Sequence, residues 1–415
     1  MKTFLIVAGA IALAVLIAVA GAFFALRAVL APQPGEWAVP LALGPLGIRA
    51  GVPSMLRLAT SGWSGPLLDG RSIATRHGRL HLSWAREGWL QVRCVPCVLQ
   101  APGLGEEPLR LAEVRLSVRR IGENLWGDFA AGRVRGAWQG RMSPDQVQLR
   151  LSVPWTPMAD GFALFAGDIP ELERARIDGM FALEAQLTLP DGKLEIWPRV
   201  EGFAVEGLGT EALAGARSPC TRRGSRLTVD SWLARAVIAA EDQRFWAHGG
   251  YDLAEVAAAL ARNQDGHHVA RGASTLSQQV ARLLITGGER SPVRKLRELL
   301  YAVELERKLG KPRILRLYLD NAPWGEGLCG AEAAARRYFG VPAHELTVAQ
   351  AGWLAAMLHN PAMEAQRWAA AGTINTARAQ WVVLGMRGLA RTRRMDIAQD
   401  IVGADWKPGW ASSQR

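Results

Sequence analysis

The rhythm of apolar and polar residues changes twice along this chain. From Phe4 to Leu26 the residues are uncharged and predominantly apolar, a run long enough to cross a bilayer as one helix. Ala31-Pro-Gln-Pro-Gly35 then breaks it as a short linker. From there to about residue 215 the alternation has period two. Leu80–Trp84, Trp89–Arg93, Val114–Val118 and Val147–Val153 each place apolar residues at every second position, as half-buried strands do. Phe181–Leu189 and Leu194–Trp197 flank Pro190-Asp-Gly192, a hairpin turn. The pattern predicts a β-rich domain whose sheet is solvated on one face.

Past the polar and basic stretch Ser218–Arg226 the period becomes helical. Asp230 reads as the N-cap of a helix carrying Leu233, Val237 and Glu241 on one face. Thr275 with Gln278 forms a capping box ahead of Leu276, Val280, Leu283 and Leu284. Ser291-Pro292 opens a helix that ends at Gly310, Lys311-Pro312 opens another, and Gly340 closes the one after. Thr347 with Gln350 is a second capping box, and the last periodic segment carries Trp381, Val382, Leu384, Met386 and Leu389. This half reads as all-α.

Composition narrows the class. At 415 residues, 49% hydrophobic and 21% charged, the chain is globular with room for two or three domains. A net charge of +11 favours an anionic partner. Beside a membrane segment, that partner reads as phospholipid head groups or a pyrophosphate-bearing lipid, not nucleic acid. Ala18-Val-Ala20 resembles a signal-peptidase site, yet the apolar run continues through Phe23, Phe24 and Leu26, which points to a retained anchor. Four cysteines are too few for a disulfide scaffold. Cys94-Val-Pro-Cys97 has redox-motif spacing in strand-like surroundings, which suits a local disulfide or two quiet thiols better than an oxidoreductase site.

Glu241 stands where an apolar residue is expected, close to a helix C-terminus whose dipole disfavours negative charge. Both features raise a carboxyl pKa and suit a general base. The plainer reading is an acid in solvent or paired with Arg244. The letters around it are more specific. Glu241 to Gly250 reads Glu-Asp-x-x-Phe-x-x-His-x-Gly. It is followed in order by Gly272-Ala-Ser-Thr-Leu-Ser-Gln-Gln279, Arg294-Lys-Leu-Arg-Glu298, Lys311-Pro-Arg-Ile-Leu-Arg-Leu-Tyr-Leu-Asp320 and Ala333-Ala-Ala-Arg-Arg-Tyr-Phe-Gly340. This ordered set resembles the signatures of the peptidoglycan glycosyltransferases, lysozyme-like enzymes that polymerise lipid II, and is closest to their monofunctional members.

The resemblance implies an inverting transfer in which an acceptor sugar hydroxyl attacks the anomeric carbon of a lipid-pyrophosphate donor. It implies Glu241 as the base and Glu298 as the second functional glutamate. Ser274, Thr275, Gln278, Gln279, Arg282, Arg290, Arg294, Lys295 and Asp242 are implied as substrate contacts, with Arg282 and Arg290 as cations for the donor pyrophosphate. Asp242 and Glu298 are the implied ligands of a divalent metal, magnesium or manganese. The Gly272–Thr275 turn, at a helix N-terminus, suits phosphate.

Each residue also has a structural reading. Thr275 and Ser274 could cap a helix, Arg294 and Glu298 are spaced for an i,i+4 pair on a solvated face, and His248 suits a hydrogen-bonded structural role. The chain departs from the family in Arg282 for lysine, Asp320 for asparagine, and the turn Ala322-Pro-Trp-Gly325. The resemblance covers about residues 230 to 390; no Ser-x-x-Lys transpeptidase block follows, and a minimal monofunctional enzyme lacks the β-rich stretch.

The expected architecture is therefore α+β and multidomain: an anchor over 1–30, a β-rich domain over 31–215, an all-α glycosyltransferase domain over 225–395 and a tail over 396–415. The expected protein is single-pass in the cytoplasmic membrane with its catalytic domain on the periplasmic face. Its expected partners are lipid II, the growing lipid-linked strand and cell-wall synthesis proteins docking on the β-rich domain. A non-catalytic lipid II-binding scaffold and a muramidase-like hydrolase are the alternatives.

Overall fold

A computed structural model describes residues 30–32, 34–43, 46–99, 107–221, 224–264, 274–287, 291–325, 327–372 and 374–403. The apolar run 4–26 lies outside them, and among the described residues no helix is long and apolar enough to cross a membrane. The described chain forms two compact units, one from residues up to 99, 108–164 and 181–199, the other from 165–180 and 200–403.

The first unit is a sheet. A hairpin of β1 (Ala38–Leu43) and β2 (Leu46–Gly51) leads into the helix Val52–Ala59. Ten further strands follow: β3 (Ser72–Thr75), β4 (Gly78–Ala85), β5 (Trp89–Leu99), β6 (Leu109–Leu111), β7 (Val114–Ile121), β8 (Asn124–Ala131), β9 (Val134–Met142), β10 (Val147–Pro157), β11 (Arg176–Leu189) and β12 (Lys193–Glu206). They form one sheet in the order β12-β11-β10-β9-β8-β7-β5-β4-β3, with β6 beside β5. Each strand predicted by alternation is present, and Pro190–Gly192 turns the last hairpin. Leu82, Leu90, Val118, Leu125, Trp138 and Met142 bury one face, and Leu56 and Ala59 of the Val52–Ala59 helix pack on it. Cys94 and Cys97 form a local disulfide inside β5.

β8 and β9 escape the alternation pattern because glycines interrupt it. A Cβ on Gly127 would lie 1.8 Å from the Ser117 carbonyl oxygen, and Phe129 lies over Gly136, its partner across the ladder. Both positions need the missing side chain.

The second unit is helical, and its capping chemistry is what the sequence expects. Thr275/Gln278 and Thr347/Gln350 are complete capping boxes; Ser291 caps Pro292–Lys308, with Pro292 in its first turn. Gly340, in the left-handed region, ends Ala331–Phe339, and Gly310, also left-handed, separates Pro292–Lys308 from the next helix. Three details differ. Ser231, not Asp230, caps Trp232–Glu241, because the helix starts one residue later; Asp230 pairs with Arg235 at 2.9 Å. The helix Leu276–Ala281 does not continue as α through Leu283 and Leu284 but widens into a π turn, Arg282–Thr286. Residues up to Gly403 within the expected tail belong to a helix, Arg391–Gly403, whose Ile401 is fully buried.

Residues 165–180 and 200–221, which alternation groups largely with the strands, are built into this helical unit. Arg297 donates to Glu171 through Nε and Nη2, the latter at 2.6 Å, and the Tyr301 hydroxyl adds a third contact. Glu304, fully buried, accepts the N–H groups of Leu208 and Thr210 at 2.8 and 3.1 Å. Cys220 is bonded to Cys329, and Asn321 accepts the Ser218 N–H at 2.6 Å. Period two reports strand geometry; it carries no information on which body a strand end joins. The Glu171 and Glu304 contacts clamp the Pro292–Lys308 helix, which carries Arg294, Lys295 and Glu298.

Candidate active site

Glu241 is the last residue of Trp232–Glu241. Leu233 and Val237 on its face are buried, which draws the carboxylate inward until 13% of the side chain is exposed. Gln279 donates from Nε2 to Glu241 Oε2 at 3.2 Å. The Tyr318 hydroxyl donates to Gln279 Oε1 at 3.2 Å, which orients the amide with its NH2 toward the glutamate. Oε1 accepts no hydrogen bond from any described residue; Arg378 Nη2 lies 3.6 Å away. Burial pushes the Glu241 pKa above the usual carboxylate range, against the Gln279 bond and the charges of Arg378, Arg282 and His359. Arg244 is not its partner: it pairs with Asp252 at 3.1 Å.

Asp242 is buried beside it and wholly occupied. It faces His248 Nε2 at 3.0 Å and accepts the Leu276 N–H at 2.9 Å. His248 Nδ1 accepts the Gly250 N–H, leaving Nε2 to donate to Asp242. Thr275 Oγ1 donates to the Gly250 carbonyl at 2.8 Å. Ser277 and Lys311 both hold Glu306, and Lys311 also lies over the Phe245 ring. The network fastens the loop after Glu241 to the head of the Gln279 helix, so base and amide are set by one frame.

The Thr275 and Gln278 side chains are spent on the capping box. The N–H groups of Leu276 and Gln278 are spent on Asp242 and Thr275. Two of the helix-end donors expected to cradle phosphate therefore have partners already. Gly272, Ala273 and Arg290 lie outside the described residues.

Glu298 is fully buried between cations. Arg294 Nη1 lies 2.9 Å from Oε1 and Lys295 Nζ 2.6 Å from Oε2, and Lys295 also donates to Ser274 Oγ at 2.6 Å. The i,i+4 spacing is an ion pair, but not on a solvated face: Arg294 is 8% exposed. Burial lowers the Lys295 pKa, opposed by Glu298 and reinforced by Arg282 and Arg294. Arg282 thus acts electrostatically on both Glu241 and Lys295, from the π turn where the helix widens.

The carboxylates expected to bind a divalent metal, Asp242 and Glu298, are each engaged by protein donors. Among the described residues no three His, Cys, Asp or Glu side chains cluster to hold an ion. Asp320 accepts from Ser225 through both N–H and Oγ, at 2.6 and 2.8 Å, and so tethers Ser225. Two groups near Glu241 were missed in the sequence, Arg378 and His359. They come from the ends of other helices, and no spacing links them to Glu241.

The transglycosylase family model matches residues 222–387. A biosynthetic peptidoglycan transglycosylase of Ectopseudomonas mendocina is 43% identical over 180 residues, 43% of this chain and 72% of that protein. The chain belongs to the transglycosylase family. Similarly named family members from Nitrosomonas eutropha and Escherichia coli O127:H6 are 46% and 48% identical over 133 residues, 32% of this chain in each case. Those matches span 54% and 55% of the relatives' own length. All the described residues of the Glu241 and Glu298 clusters fall inside the family match.

Proposed function

We propose that this chain polymerises peptidoglycan glycan strands, transferring a lipid-pyrophosphate-linked glycan onto the sugar hydroxyl of lipid II with inversion. The observation that carries this reading is Glu241: an inward-facing carboxyl with a raised pKa, one oxygen held by Gln279 and the other without a hydrogen bond from any described residue, in the field of Arg378, 3.6 Å away, and of Arg282.

In this reading the acceptor hydroxyl gives its proton to Glu241 Oε1 as its oxygen bonds to the anomeric carbon. The bond from that carbon to the pyrophosphate oxygen breaks, and the lipid diphosphate leaves with the electron pair. A sugar hydroxyl is a weak nucleophile at neutral pH, so a base poised near the operating pH is worth about 10²–10⁴ in rate. Arg282 and Lys295 offer positive charge to the leaving group, and Arg290 is assigned to the same task by resemblance alone. Glu298 holds Lys295 and Arg294 in place and so positions those cations. No step is routed through a metal. We assign the apolar run 4–26 to a membrane anchor, the catalytic unit to the periplasmic face, and cell-wall synthesis proteins as partners of the β-rich unit.

The test is incubation of the purified protein with fluorescent lipid II and products sized on a gel, with magnesium, manganese or chelator. Glycan ladders lost in Glu241→Gln support the proposal. Binding without ladders indicates a scaffold, and cleavage of preformed strands a hydrolase; either result overturns it.

A further inference from the structure

The sheet of the first unit has two unlike faces. One is the apolar core under Val52–Ala59. The register identifies the other. Arg93 pairs with Arg115, Arg115 with Ala130 and Ala130 with Arg135, so three arginines share one row. A second row runs Arg119, Trp126, Gln139, Arg150, and a third Ile121, Asn124, Arg141, Gln148. Partners in a row point to the same face, and rows two residues apart do so as well. Five strands thus present six arginines on one side.

Few carboxylates answer them. Asp128 is on this face, Asp160 lines the same concavity and pairs with Arg133, and Glu113 at the edge bridges Arg93 and Arg115, two like charges that would otherwise repel across the ladder. Arg135, Arg141 and Arg150 are exposed and have no ion pair with a described residue. Like charge spread over an exposed plane costs free energy that no fold requires, whereas the opposite face shows that these strands can cover themselves where burial is needed.

We infer that this arginine face is a docking surface for an anionic phospholipid bilayer. The charges span five strands, about 20 Å at the usual strand spacing, which matches an array of head groups. The half-buried Trp126 shares a row with Arg119, and the exposed Ile121 ends the next, an interfacial pattern of cations with a few apolar and aromatic residues. The unit begins a few residues after the uncharged apolar run 4–26, and this proximity favours lipid over nucleic acid. Each arginine at an anionic surface contributes about a fivefold preference.

The test uses the full chain in nanodiscs, with an environment-sensitive dye on Gln139→Cys. A spectral shift is expected in discs containing phosphatidylglycerol, absent in phosphatidylcholine alone and reversed by high salt. Replacing Arg135, Arg141 and Arg150 with Gln should lower the docked-to-undocked ratio about a hundredfold or more. The corresponding Lys replacements should retain docking, since charge rather than fork geometry is used, and they control for misfolding of the Gln variant. Equal signals in both lipids, or a shift with anionic glycan or nucleic acid but not with phosphatidylglycerol, would overturn the inference. Glycan polymerisation is not the readout, so the result is independent of the proposed reaction.

Discussion

Two glutamates in the helical unit are buried to similar ends by opposite means. Glu241 meets one amide and a guanidinium 3.6 Å away, and burial raises its pKa. Glu298 sits between Arg294 and Lys295 at ion-pair distance. A carboxyl left short of partners can exchange a proton; one clasped by two cations holds those cations in place. The contrast supports the proposed roles, proton transfer at the first site and charge positioning at the second.

The largest effect should come from Glu241→Gln. Polymerisation should fall about 10²–10⁴-fold with the fold intact, read as turnover of fluorescent lipid II beside an unchanged circular dichroism spectrum. Glu298→Gln should instead act on stability. It leaves Arg294 buried with its main counter-charge gone, a loss of about 3–5 kcal/mol, and the urea midpoint should drop accordingly. The half-exposed Lys295 bridge adds little to that figure. Replacing Arg294 and Glu298 together by methionine should recover most of the loss, which separates an unpaired charge from a packing defect.

The pH dependence sharpens the contrast. A carboxyl whose pKa is raised on folding binds its proton more tightly in the native state, so it favours folding at low pH and costs stability as pH rises above the unfolded value. Glu241→Gln should therefore raise the melting temperature at neutral pH, with the gain vanishing below the ordinary carboxylate value of 4.5. In the wild-type enzyme the acid limb of kcat/KM should lie above that value, because the base must be ionised to act. A gain in stability that persists at low pH would show that the Glu241 pKa is not its source. The smallest effect is that of Tyr318→Phe. Losing the hydroxyl that orients Gln279 should cost about 0.5–1.5 kcal/mol and move the acid limb further up, since Gln279 no longer holds its NH2 on the carboxylate.

Much of this site was legible because its signals are local. The capping boxes at Thr275 and Thr347, the Ser291-Pro292 helix start and the stop at Gly340 depend on side chains three or four residues apart, and each forms as expected. Glu241 stood out because Leu233 and Val237 share its helix face. Arg378 and His359 did not, because they approach Glu241 through space from helices more than a hundred residues on. The widening at Arg282 was equally hidden, since a π turn and an α turn share the same apolar letters. Local spacing also misjudged Arg294 and Glu298, whose i,i+4 pair is the same on a solvated helix as on a buried one.

The sequence alone determined the kind of most elements, the order of the signature blocks and a candidate base at Glu241, because short-range sterics, capping and periodicity act along the chain. Tertiary structure decided which charges are buried together. It made Glu171, Glu304 and the Cys220–Cys329 bond part of the helical unit and gathered the arginines of separate strands onto one face. Desolvation and Coulomb energy depend on distances through space, which chain separation does not encode.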